Sequence, residues 1–301
     1  MKKNKFLSYL MAFGFGITVM TSCGNDDSNK ISLPPIGGFN TADEIAMEDL
    51  VGYWPLNGDG VEIKSNTSPS SSVGATYSEG IKGQGVTFTN GYLAYPEIEA
   101  LASTLPSMSI SLWGKITNNG GADGHQTMMF SLGRPDHWAG NINLMAETGW
   151  KPATNDSLTI KGFVQIKNES GTADDYEVIN KIKATEEELA DGHTPFANKN
   201  SGRWAHYVAI WNAETGFFQL FANGIKISDA KLESKNEGNP LPLNFFTPTK
   251  PVIGTFATVV SGTGEAWQKS MNGQLDEIRV WKKALTSTEI TALYELEKAG
   301  R

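Results

Sequence analysis

The chain has one cysteine in 301 residues and no excess of basic charge: 25 Lys plus Arg stand against 33 Asp plus Glu, a formal net charge of -8. A single thiol excludes a disulfide framework and any zinc site built on clustered cysteines. An acidic chain lacks the positive field that phosphate contacts require, so nucleic acid is not expected as a partner, and anionic lipid surfaces are disfavoured for the same reason. Four histidines, His125, His137, His193 and His206, fall at no His-x-x-x-His spacing, and a Gly-x-Ser-x-Gly nucleophile turn is absent. No internal repeat of fixed period is visible. What the chain has in quantity is glycine, 32 residues, with 10% aromatics, the composition of packed strands joined by many turns.

The N-terminus reads as an address. Lys2, Lys3 and Lys5 precede an apolar run over residues 6–20, the layout of an export signal and too short to span a membrane comfortably. The run ends in Met20-Thr21-Ser22-Cys23, which resembles the lipobox of bacterial lipoproteins, with Met where Leu is usual. The resemblance implies cleavage after residue 22 and acylation of Cys23, a multi-chain anchor strong enough for stable membrane attachment. Gly24-Asn25-Asp26-Asp27-Ser28 is similar to the acidic signal that sends Bacteroidota-type lipoproteins to the outer face of the outer membrane. Residues 23–48, polar and carrying Pro34-Pro35 and Gly37-Gly38, are expected to form a flexible tether, and residues 49–301 one folded domain.

Within that domain the periods are those of strands. Met108, Ile110, Leu112 and Ile116 alternate with Ser109, Ser111, Trp113 and Lys115. Trp204, His206, Val208 and Ile210 alternate with Ala205, Tyr207, Ala209 and Trp211, and strict alternation over 274–281 places Leu275, Glu277, Arg279 and Trp281 together. Asn223-Gly224 predicts a type I′ hairpin turn. Thr286-Ser287-Thr288-Glu289 is a capping box opening a C-terminal helix, with Leu285 and Ile290 as its hydrophobic staple, and Glu186-Glu187-Glu188 suits a short surface helix.

These pieces stand in an order that resembles the laminin G-like, concanavalin A-like jelly-roll superfamily. Gly52-Tyr53-Trp54-Pro55-Leu56-Asn57-Gly58-Asp59 comes first, then Gly80-Ile81-Lys82-Gly83-Gln84-Gly85 and Ser107-Met108-Ser109-Ile110-Ser111-Leu112-Trp113. Arg203-Trp204-Ala205-His206-Tyr207, Leu220-Phe221-Ala222-Asn223-Gly224 and Gly273-Gln274-Leu275-Asp276-Glu277-Ile278-Arg279-Val280-Trp281 follow. The resemblance implies an all-β fold, a two-sheet antiparallel jelly-roll sandwich with adjacent first and last strands, closed here by the short C-terminal helix.

For function the resemblance implies a non-catalytic cell-surface lipoprotein that binds a polysaccharide or other glycan and serves glycan uptake or degradation. A protein-interaction or adhesin module, or an accessory subunit of an outer-membrane complex, is the alternative, and a glycan hydrolase or lyase a third. The Glu-x-Asp-x-x-Glu strand of jelly-roll glucanases is missing, and Asp276-Glu277 are adjacent, so they point to opposite faces. Calcium is common in such domains, and Asn57, Asp59, Glu62 and Asp276 are the residues expected to hold it. Sugar rings stack on aromatics flanked by amides and acids. Trp138, Trp150 and Trp267, lying in loop-like segments, are the expected platforms, with His125, Gln126, Arg134, Asp136 and Asn141 as polar contacts. Trp54, Trp113, Trp204, Trp211 and Trp281 sit in strand motifs and are assigned to packing.

Overall fold

The structure is a computed structural model that describes residues 33–134 and 136–301. The signal segment 1–22 and Cys23 lie outside the described residues. All the elements below belong to the unit Pro35–Arg301. In chain order they are β1 (Leu50–Trp54), β2 (Ser71–Glu79), β3 (Gln84–Ala94), β4 (Met108–Lys115), β5 (Thr127–Gly133), β6 (Ile142–Glu147) and β7 (Thr159–Lys167). Then come β8 (Ala173–Ile179), α1 (Glu186–Ala190), β9 (Trp204–Asn212), β10 (Phe217–Ala222), β11 (Ile225–Lys226), β12 (Lys250–Ile253), α2 (Ala257–Val260), β13 (Met271–Trp281) and α3 (Ser287–Lys298).

The strands make one antiparallel sheet in the order β11-β10-β9-β4-β13-β3-β12-β5-β6-β7-β8, with β1 added to β13 and β2 to β3. Four-residue β12 bridges β3 and β5, and there the sheet rolls over to form two facing layers, the expected jelly roll. Alternation selects which side chains meet between them. Tyr207, Trp211 and Phe218 from one layer share a core with Ile160, Val164 and Val178 from the other, and Trp54 of β1 packs its ring 5.5 Å from Phe130 of β5. Gly162 of β7 lets the layers close, because a Cβ there would sit 2.4 Å from the Phe218 ring. The hairpin turn has both residues at positive φ, Asn223 at 50° and Gly224 at 78°, as a type I′ turn requires. The expected capping box of Thr286 with Glu289 is formed, and Thr185 makes a second one with Glu188.

Two expectations are corrected. Strict alternation fails in β13, where a bulge at Asp276-Glu277, with Glu277 at φ 48°, inserts an extra residue. Leu275 consequently joins Ile278 and Val280 in the core, while Glu277, Arg279 and Trp281 stay on the outer face. The bulge falls where β13 changes neighbours: residues up to Leu275 pair with β3, and those from Ile278 pair with β1. The boundary at residue 49 is also too late. Residues 35–48 dock on the domain, burying Ala42 and Ile45, and the Ile45 carbonyl accepts the indole N–H of buried Trp281 at 3.1 Å.

The outer face of the first layer is covered by α3 and this N-terminal segment. Ile290, Leu293 and Leu296 pack on Val208, Ile210 and Trp281. Beside them lies Arg279, with a side chain of 0% exposure. Its guanidinium donates to Glu297 of α3 (2.9 Å), Glu277 (2.8 Å) and Asp43 (2.7 Å), and lies 3.8 Å from the centre of the Tyr53 ring. Burial works against the Arg279 charge, but Glu297, Tyr53 and Glu277 raise its pKa above the ordinary value. Glu297 also accepts the Trp113 indole N–H at 2.8 Å, and burial raises its carboxyl despite Arg279. His206, fully buried, has Nε2 2.6 Å from Ser111 Oγ and 3.7 Å from Glu297, and its ring stacks near Trp113 and Tyr294. Burial, with Arg279 nearby, lowers its pKa to about 3.

Two outcomes are expected. A chain beginning at residue 49 should melt well below one beginning at Pro35, since it exposes the Ala42 and Ile45 sites and leaves Trp281 Nε1 and Arg279 short of partners, a loss of roughly 3 kcal/mol or more; equal melting temperatures would contradict the docking. The second concerns pH. Unfolded His206 takes a proton near pH 6.5 and the folded residue resists it to about 3, so the unfolded state binds more protons in that window and stability falls as pH falls. In urea unfolding, the stability of the wild type relative to His206→Gln should therefore decline on acidification from pH 7 to 4, by up to about 1.4 kcal/mol per unit. Parallel profiles would refute a neutral buried His206.

Candidate functional site

Clusters of strongly shifted titratable groups often mark active sites. Here the largest, around Arg279, is sealed under α3 with its charges facing one another, so it holds structure rather than substrate.

The residues expected to bind calcium are committed to backbone. Glu62 is fully buried, and its oxygens accept from the amides of Tyr53 (2.8 Å), Lys64 (3.0 Å) and Ser65 (2.7 Å) and from the Ser65 hydroxyl. Asp276 accepts from the amides of Ile81, Lys82 and Glu277 at 2.7, 3.1 and 2.9 Å. Burial pushes its carboxyl up to about 7 against the pull of those donors. Asn57 Oδ1 receives the Gln84 amide at 2.7 Å, and Asp59 closes a local turn on Val61. Asn57 and Asp276 thus clamp the β2–β3 turn from two sides, which explains its glycines: a Cβ at Gly80 would lie 2.5 Å from Asp276 Oδ2 and one at Gly83 2.3 Å from Asn57 Oδ1. Among the described residues no group of three or more His, Cys, Asp or Glu side chains is placed to hold a metal ion, and these four do not fit a calcium site as a set.

The outer face of the second layer differs from that of the first. Core residues Ile160, Val164 and Ile166 of β7 leave Lys161, Phe163 and Gln165 outward, with Met128 and Met145 beside them. Two of the expected tryptophans come together here. Trp138 and Trp267 meet edge to face at 5.5 Å, Trp138 stacks on Phe163 at 5.5 Å, and both touch Phe256, the residue before α2. Both are half-buried, and the Trp267 indole donates to Glu265 at 2.7 Å. Their rings serve mainly to pin loops.

Trp150 is placed otherwise. It is 66% exposed, the one Trp, Tyr or Phe among the described residues in the exposed class. One ring face lies flat on His125, with centroids 4.2 Å apart and planes 8° from parallel. The loops beneath are zipped by backbone bonds from Asn119 to Thr148 (2.9 Å), Gly120 to Lys151 (2.9 Å) and Gly149 to His125 (3.1 Å). A Cβ at Gly149 would strike His125 at 2.5 Å, so glycine is required for that closeness. Gln126 follows, its Oε1 buried without a protein partner. Gly124 abuts the Trp267 carbonyl, so the Trp150–His125 stack and the Trp138–Trp267 pair lie side by side as a band.

The remaining expected residues divide. Arg134 and Asp136 line a groove of about 550 Å³ on the far side of α2. Asn141 is buried, with both amide atoms bonded to the Phe246 backbone at 2.9 and 2.7 Å, which removes it from any ligand surface. Sequence reasoning missed Lys250 in the same groove, since a lone lysine before a short strand carries no signal.

Comparison with known proteins agrees with this architecture. Among curated proteins none matches the chain. Domain 4 of AbnA, a GH43 extracellular arabinanase from Geobacillus stearothermophilus, solved in complex with arabinotriose, is 17% identical with a TM-score of 0.51; the match covers 81% of this chain and 98% of that one. The binding domain of botulinum neurotoxin serotype D/C VPI 5993 gives 11% identity and a TM-score of 0.53, covering 83% and 52%. The serotype G binding domain gives 11% and 0.52, covering 82% and 51%, so this chain spans about half of each toxin chain. At these identities the likeness establishes the fold. A family model matches over residues 87–291, from within β3 into α3 and more than half of the chain, and the protein belongs to the Concanavalin A-like lectin/glucanases superfamily.

Proposed function

We propose that this protein binds carbohydrate, with Trp150 as the stacking platform. The observation that carries the reading is the Trp150–His125 pair: a broad indole face left in solvent, flat on a second ring, on loops braced by backbone hydrogen bonds. An exposed apolar ring costs solvation unless a partner covers it, and the C–H face of a sugar is a fitting partner. The flanking polar groups of His125 and Lys151 suit hydroxyls. The arabinotriose complex of the AbnA domain supports the same class of ligand on this fold. The calcium expected from sequence is not needed for this reading. Acylation at Cys23 would hold the domain at the outer membrane surface, where binding would serve a system that takes up or degrades glycans.

A polysaccharide panel tested on the full-length protein should yield a saturable hit. Trp150→Ala should weaken it by roughly 2 kcal/mol, about 30-fold in Kd, with a melting temperature within about 2 °C of wild type. Trp138→Ala should instead lower the melting temperature by several degrees, since it opens the Phe163–Phe256 cluster. Full binding by Trp150→Ala would refute the assignment.

A further inference from the structure

The groove beyond α2 lies where β12 carries the sheet from one layer to the other. Its floor is apolar, with Val252, Ala94 and Gly133, and α2 contributes Ala257 and Val260 as a wall. The β12–β5 register sets Lys250 opposite Gly133, and Arg134 comes next, so two cations from different strands reach the same end of the ladder. Lys250 is exposed and, among the described residues, neither its ammonium nor the Arg134 guanidinium is in an ion pair with a carboxylate. Arg134 is held ready instead: its Cζ lies 3.7 Å from the centre of the Phe246 ring, and Nη1 donates to Gln165 at 3.0 Å, which in turn donates to Asp175 at 2.9 Å. Asp136 is the one acid on the rim, exposed and at φ 53°. The same α2 that walls the groove packs Val259 into the aromatic cluster, and Trp138 is two residues beyond Asp136, so the groove continues the tryptophan band.

We propose that this groove recognises an anionic substituent on a sugar, the carboxylate of a uronic acid or a sulfate ester, held by Arg134 and Lys250. The inference rests on the carbohydrate-binding reading and specifies its ligand. A planar guanidinium stacked on a ring is pre-organised for a two-oxygen anion. The apolar floor strengthens that attraction by lowering the local dielectric. Charge complementarity argues for the same occupant. A chain of net charge -8 repels polyanions as a whole, so an anionic polymer that binds must do so through local cations not already paired with a carboxylate. Asp136 on the rim remains available to accept a sugar hydroxyl.

Calorimetric titration of the full-length protein with polygalacturonate, its methyl ester and dextran sulfate tests this directly. One of the two anionic polymers should bind about tenfold or more tighter than the neutral ester, and which one does assigns carboxylate or sulfate. Lys250→Gln, which removes an exposed side chain, should abolish that preference with the melting temperature unchanged, and Arg134→Gln should do the same. If the ester binds as well as the anionic polymers and only Trp150→Ala weakens it, the groove assignment falls while the sugar reading stands. If none of the polymers binds, the groove assignment falls as well, and the wider panel decides the sugar reading.

Discussion

One buried guanidinium organises this molecule. Arg279 reaches carboxylates on three separate pieces of chain, β13 itself, α3 and the N-terminal segment, and lies on the Tyr53 ring of β1. Taking a charge out of water is costly unless its hydrogen bonds are met, and the planar fork of Arg meets several acceptors at once. Removing Arg279 would leave the buried carboxyls of Glu277 and Glu297 facing each other without a counter-charge, so α3 and residues 35–48 are held in one geometry as well as packed. The result is a layer whose outer face is closed. The proposed recognition site lies on the other layer and its loops.

The acids of the closing strand illustrate how the fold divides chemistry from structure. Asp276 and Glu277 are adjacent, yet the bulge sends one to the β2–β3 turn and the other to Arg279 and the Tyr53 hydroxyl. Asp276 is satisfied by backbone amides that the fold itself supplies, and Glu277 takes both of its donors on Oε2, leaving Oε1 buried without a partner. The pattern Gly80-Ile81-Lys82-Gly83-Gln84-Gly85 is the counterpart, a backbone bare of side chains where Asn57 and Asp276 approach. These acids and glycines are in this way accounted for without invoking a ligand.

What could be read from sequence was what depends on neighbours along the chain. The Asn223-Gly224 turn, the Thr286–Glu289 capping box and the two faces of β4 and β9 are local in origin, and all are present. The β13 bulge was illegible because a period of two cannot announce an inserted residue; it arises from the exchange of β3 for β1 alongside. Residues 35–48 read as a tether because they are polar on average, while a few side chains, Ala42, Asp43 and Ile45, decide their docking. The loop tryptophans looked equivalent in sequence. Contacts from distant segments separate them: Phe163 and Phe256 claim Trp138 and Trp267, whereas among the described residues only the His125 ring stacks on Trp150.

The closed face under α3 and the open aromatic band together make a single claim about where ligand binds. Hydrogen–deuterium exchange of the full-length protein, with and without a polysaccharide that binds it, tests that claim most directly. Protection is expected in residues 119–126, 148–152 and 265–269, with amides of α3 and of β13 beneath it unchanged. Protection centred on α3, or on the β2–β3 turn that Asn57 and Asp276 clamp, would contradict the account.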